Sequence, residues 1–134
     1  MTNVEIVKRA WAAWEERDMD LAAADWDPDI EWDLTRFDEA PPDTVVRGAA
    51  NVMGLIAAWL TTWRAYEVTV ESYEPAAAGD ALLLMVRRRA REAATGADAN
   101  RLAAQLWTLE GGRIKRIQSF SDVSEARREA GLTR

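Results

Sequence analysis

A chain of 134 residues, 49% apolar and 30% charged, fits one domain, and a chain of this length buries roughly two-thirds of the surface it exposes when unfolded. With no cysteine and no histidine it has no disulfide, thiolate or imidazole, which excludes Ser-His-Asp and Cys-His catalysis, argues against zinc, and leaves acid–base work to carboxylates, tyrosine or lysine. A net charge of −6 and a pI near 4.7 argue against a nucleic-acid partner, and with neither a bilayer-length apolar run nor a signal-peptide core the expected location is cytoplasmic, off the membrane.

TNVEIVKRAWAAWEERD (2–18) carries Val4, Val7, Trp11 and Trp14 at helical spacing, and Thr2 with Glu5 fits a capping box. A second short helix is expected over about 19–26, ended by Pro28, after which DIEWDL (29–34) alternates as a strand. Residues 35–47, with two prolines and little pattern, read as a surface loop. After Gly48, the recurrence of Val52, Leu55, Ile56, Trp59, Leu60 and Trp63 predicts a third helix over about 49–64. Strands are then expected at 66–73, 79–92 and 100–110, and the turn EGGR (110–113) leads into a last strand, RIKRIQSFS. SDVSEARREAG closes as a short helix, with Asp122 and Glu125 spaced as a capping pair.

This order predicts a single α+β domain over 1–134: a cone-shaped, curved, mixed or antiparallel sheet with the N-terminal helices on its concave face and a short C-terminal helix. ALLLMV (81–86) does not alternate, so both faces of that strand should be buried, the inner by helices and the outer by a second copy in a homodimer.

In DWDPDIEWDL (25–34) the acids occupy every odd position and Trp26, Ile30, Trp32 and Leu34 even ones. A calcium loop fails here, because the position requiring glycine holds Ile30 and the twelfth holds Arg36. The alternation puts Trp32 and Leu34 inside and the acids on the wet face. Asp33, at the strand end, and Asp38, in the loop at the expected cavity mouth, are the candidate proton carriers. Seven tryptophans suit a cavity wall as well as a core, so Trp14, Trp32, Leu34, Trp59, Trp63 and Trp107 are the expected apolar lining. Gln105, on one face with Trp107, is the candidate donor to a ligand oxygen; otherwise it is a buried amide satisfied within the protein. Within RRRAR (87–91), Arg87 is the candidate partner of an acidic ligand group, or a surface arginine among abundant carboxylates.

RAWAAWEERDMD, DPDIEW, VRG before the third helix, and LWTLEGGRIKRIQSF together resemble the nuclear transport factor 2-like superfamily, and within it the SnoaL-like domains, which include polyketide cyclases and are related to ketosteroid isomerases. The resemblance implies the cone fold, and a function among isomerases, cyclases, dehydratases, epoxide hydrolases and binding-only members. The isomerase tyrosine, carboxylate base and protonated acid fall at Ala10, Leu34 and Gln105, so steroid isomerase activity is not expected. The inward acid of the cyclases falls among Gln105, Trp107, Ile117 and Ser119, and the arginine of the epoxide hydrolases near Arg87 and Arg89, without the flanking acids. The expected ligand is a small hydrophobic, carbonyl-bearing molecule. Three readings stay open: cofactor-free proton transfer with Gln105 on the oxygen and Asp33 or Asp38 on the proton, a carrier or sensor without catalysis, and a structural dimer module.

Overall fold

The computed structural model describes residues 1–92 and 94–132, without the side chains of 60–66, 92 and 99. Helix α1 (Asn3–Glu15) starts at the capping box: the Glu5 backbone N–H donates to Thr2 Oγ1 (3.2 Å) and the Thr2 N–H to Glu5 Oε1 (3.0 Å). Its apolar stripe buries Val7, Ala10 and Trp11. Helix α2 (Met19–Ala22) is shorter than expected, because the chain turns at once into β1 (Trp26–Arg36). Pro28 therefore lies inside the strand, exposed, where the register against its neighbour shifts between Trp26 and Glu31 and its missing N–H is tolerated. The expected loop contains a short strand, β2 (Val45–Arg47), antiparallel to β1. Then come α3 (Ala49–Thr62), β3 (Trp63–Pro75), β4 (Ala81–Glu92), β5 (Asp98–Glu110), β6 (Arg113–Phe120) and α4 (Val123–Glu129).

The six strands form one sheet in the order β2-β1-β6-β5-β4-β3. It is mixed, since β1 runs parallel to β6 while every other pair is antiparallel. One face carries Trp26, Ile30, Leu82, Leu84, Val86, Trp107 and Ile117 against α1 and α3, and this is the main core. In β1 the even residues Trp26, Ile30 and Leu34 are buried there, as the alternation requires.

The opposite face of β4 and its neighbours is covered within the chain. Leu83, Leu106 and Phe120 are almost fully buried beneath Ala126 and Ala130. Asp122 caps α4 by accepting from the N–H groups of Ser124 (2.9 Å) and Glu125 (3.2 Å). Gly131 ends it at φ +73°, where the Leu132 N–H donates to the Arg127 carbonyl and the Gly131 N–H to that of Arg128. A Cβ on Gly131 would lie 2.8 Å from Ala77 Cβ, so glycine is required twice over. Arg36 ties α4 to β1 through Glu125 and Glu129, and Arg127 ties it to β3 through Glu74. The double-sided burial of ALLLMV, expected to reflect a second copy, is thus met by α4. No helix among the described residues is long and apolar enough to cross a membrane.

Candidate functional site

Between α1, α2, α3 and the concave face of the sheet lies a cavity of about 130 Å³. Trp11 and Trp14 reach it from α1, Trp26 and Trp32 from β1, Trp59 from α3 and Trp107 from β5. Leu34 completes the expected lining, and the side chain of Trp63 lies outside the described residues. Four of these indoles make ring contacts. Trp11 meets Trp14 edge-on at 6.4 Å and Trp107 at 6.2 Å, while Trp59 meets Phe37 at 6.1 Å. Edge and tilted contacts at these separations are among the arrangements aromatic rings favour.

Gln105 and Ser119 are register partners on β5 and β6, and both line this space. The Trp107 indole N–H donates to Gln105 Oε1 (2.9 Å), and the Trp32 indole N–H to Ser119 Oγ (2.9 Å). An indole N–H only donates, so the amide oxygen must face Trp107. Gln105 is left with its NH₂ group, which meets no acceptor among the described residues. The indole N–H groups of Trp11, Trp14 and Trp59 are also buried without an acceptor among those residues. The wall is therefore apolar with the Gln105 NH₂ as a spare donor, a composition suited to a ligand that brings an acceptor.

At the mouth, Arg88 of β4 and Arg101 of β5 are register partners, both lining the cavity. Glu39, on the β1–β2 connection, sits between them, 2.5 Å from Arg88 Nη1 and 2.6 Å from Arg101 Nη1. Asp38 also holds Arg101, at 2.6 Å. The guanidinium of Arg88 lies over the Trp59 ring and that of Arg101 over the Phe37 ring, at 6.0 and 5.6 Å. None of Arg88, Arg101 and Glu39 was among the expected site residues. A signal for Arg101 was present, since it lies two alternations from Gln105 on one strand face.

Three expected residues sit elsewhere. Arg87 points to the outer face, where it pairs with Glu71 (3.2 Å) and bonds Asn100. With no alternation in ALLLMV the phase of β4 could not be read, and the structure places its neighbour Arg88 inside. Asp33 is on the outer face of β1, half-buried rather than wet, and accepts from the Thr35 hydroxyl (2.6 Å) and from Arg116 (2.8 Å). Three of the other four acids of its row are likewise bound by cations, Glu31 by Arg47 and Arg116, Asp27 by Lys115 and Asp25 by Arg9, while Asp29 is exposed. Asp38 is largely exposed at the rim and is held by Arg101, while its neighbour Glu39 reaches the wall.

Burial pushes the Asp33 carboxyl up, but hydrogen bonds from the Thr35 hydroxyl and backbone N–H, with the Arg116 guanidinium, outweigh it and hold the group below its ordinary value. For Asp38 the Arg101 hydrogen bond is the largest cause of a lowered value, joined by Ser121 and the charges of Arg101 and Arg88. Neither carboxylate is thereby tuned toward neutral pH. A depressed native value means that the contribution of Asp33 to stability is present above the ordinary value of 3.8 and is lost as pH falls through the native one. In denaturant titrations across pH, Asp33→Asn is expected to be less stable than the wild type at neutral pH, with the gap closing in acid. A gap that stays constant with pH would contradict this ionic role.

No group of three or more acidic, histidine or cysteine side chains that could hold a metal occurs among the described residues. Fold and site together define an α+β domain whose helices and curved, open sheet surround an apolar cavity. Residues 7–117 match the family of SnoaL-like domains, and the chain belongs to that family, one whose cone fold also occurs in nuclear transport factor 2-like and ketosteroid isomerase-like structures. No curated protein matches it. Among solved structures it is similar to a nuclear transport factor 2-like protein of Burkholderia thailandensis (TM-score 0.80, 22% identity, 100% of this chain and 98% of that one). It is also similar to TerC co-crystallized with polyporic acid (TM-score 0.76, 18% identity, 96% and 98%). A third is a Mycobacterium tuberculosis protein in complex with estradiol-17beta-hemisuccinate (TM-score 0.74, 13% identity, 90% and 93%). At these identities the likeness is one of fold.

Proposed function

We propose that this chain binds a small hydrophobic molecule carrying an oxygen acceptor, with the ring system among the indoles and the oxygen on the Gln105 amide. One observation carries the most weight: the Gln105 oxygen is committed to Trp107, so its NH₂ is an oriented donor beside an apolar hollow. The co-crystallization of similar folds with small organic compounds supports the reading. A volume of about 130 Å³ suits a single aromatic ring, since an engineered apolar cavity of about 150 Å³ takes benzene.

Binding without turnover is favoured over proton transfer, since Asp33 and Asp38 lie off the wall and the wall carboxylate, Glu39, is engaged by two guanidinium groups.

The test is acetophenone binding followed by quenching of tryptophan emission. Gln105→Glu keeps an oxygen for the Trp107 N–H and, once ionised at alkaline pH, has no donor, so affinity measured there is expected to be lower by about tenfold, the worth of roughly one hydrogen bond, and to recover in acid as the carboxyl regains a proton to donate. Gln105→Leu strands the Trp107 N–H as well and should cost about 1–3 kcal/mol of stability besides. Undiminished affinity in Gln105→Glu at alkaline pH would refute the role given to the amide.

A further inference from the structure

Arg88 is the one buried charged residue among the described residues, at 7% exposure, and its guanidinium stands at the mouth of the cavity over the Trp59 ring. A carboxylate reaches it from the connection between β1 and β2, where Glu39 Oε1 lies 2.5 Å from Nη1. The other Glu39 oxygen is already 2.6 Å from Arg101, which also holds Asp38. The cluster thus has two cations and two anions, but its partners are not equally replaceable. Glu39 can withdraw from Arg88 and remain paired through Arg101, and an anion that takes its place restores a carboxylate to the buried guanidinium.

The β1–β2 connection is fastened along its length, and the Ala40 N–H closes a turn around Glu39 on the Phe37 carbonyl. The Leu34 N–H donates to the Thr44 carbonyl and the Phe37 N–H to that of Leu34, the Asp38 N–H donates to Ser121 Oγ, and the Thr44 hydroxyl bonds the Pro41 carbonyl. The Glu39 carboxylate is held by the arginines alone among the described residues. A shift of Glu39 toward Arg101 leaves these backbone bonds in place.

We infer that Arg88 is the anchor for the carboxylate of a small aromatic acid, and that Glu39 occupies the carboxylate position until such a ligand displaces it toward Arg101. This rests on the binding function proposed above and adds a second polar contact to it: the ring fills the hollow, with an acceptor-binding end at Gln105 and an acid-binding end at Arg88 on the mouth. It also accounts for an otherwise costly feature, an arginine buried beside an apolar space and answered by a loop residue.

Benzoate and the neutral, nearly isosteric benzamide are the probes, titrated into the wild type, Glu39→Gln and Arg88→Met with tryptophan emission and melting temperature as readouts. Removing the internal competitor in Glu39→Gln is expected to tighten benzoate by about tenfold and to enlarge the rise in melting temperature it causes, leaving benzamide unchanged. Arg88→Met is expected to lose benzoate and keep benzamide. Equal changes for both probes in Glu39→Gln, or no change for benzoate, would overturn the inference while leaving the proposed function standing. Failure of the wild type and Glu39→Gln to bind either probe would remove both.

Discussion

Phe120→Ala is expected to destabilise the protein by about 3–5 kcal/mol, with a melting transition independent of protein concentration. The ring is 1% exposed on the outer sheet face, where it packs with Leu83, Leu106 and Ala126, and the guanidinium of Arg36 covers it at 5.4 Å. Its cross-strand partner is Ala104, too small to fill the space the ring would leave. The cost should therefore include a cavity that α4 cannot close, because α4 is fixed by its cap at Asp122, its glycine end and its ion pairs. Concentration matters because a face covered by a second copy would melt at a temperature that rises with protein concentration. A loss below about 1 kcal/mol, the range of a solvent-exposed side chain, would mean that α4 does not seal this face.

Val52→Phe should nearly abolish ligand binding while leaving the fold intact. Val52 is fully buried on α3, its N–H bonded to the Gly48 carbonyl, and it faces the cavity. In a solid core the larger side chain would cost about 1–3 kcal/mol through displaced rotamers. Here the added ring can enter the hollow and contact the indoles, so stability is expected to change by less than about 1 kcal/mol in either direction. The same ring takes the ligand's place, and affinity for acetophenone should fall by on the order of 100-fold, or about 2.7 kcal/mol. Chemical denaturation and fluorescence titration of the one variant separate the two effects. A large stability loss with affinity retained would mean that the space is already packed.

Much of the architecture could be read from local patterns, because helix stripes and strand alternation are written within a few residues. The capping box at Thr2 and Glu5 and the inward set Trp32 and Leu34 are examples, and both occur in the structure. What could not be read depends on residues far apart in sequence or on phase. The outer face of β4 is covered by a helix some 40 residues later, and a lone strand reading both-sided gives no hint whether its cover is its own chain or another. The phase of RRRAR is set by the pairing of Arg88 with Arg101 and Val68 on neighbouring strands, not by its own composition. The acids of β1 were expected to be solvated, whereas β6 and β2 bring Lys115, Arg116 and Arg47 alongside them. Short β2 was hidden because three residues with two apolar side chains carry no period, and only the edge of β1 calls it into the sheet.

The central claim is that the cone holds an open apolar hollow that accepts one small ring-bearing ligand. Calorimetric titration of the wild-type chain with acetophenone at several temperatures tests it directly. One site per chain, with a binding enthalpy that becomes more negative as temperature rises, is the expected result, since burying apolar surface gives a negative heat-capacity change. Heats indistinguishable from dilution at every temperature, up to the solubility limit of the ketone, would contradict it.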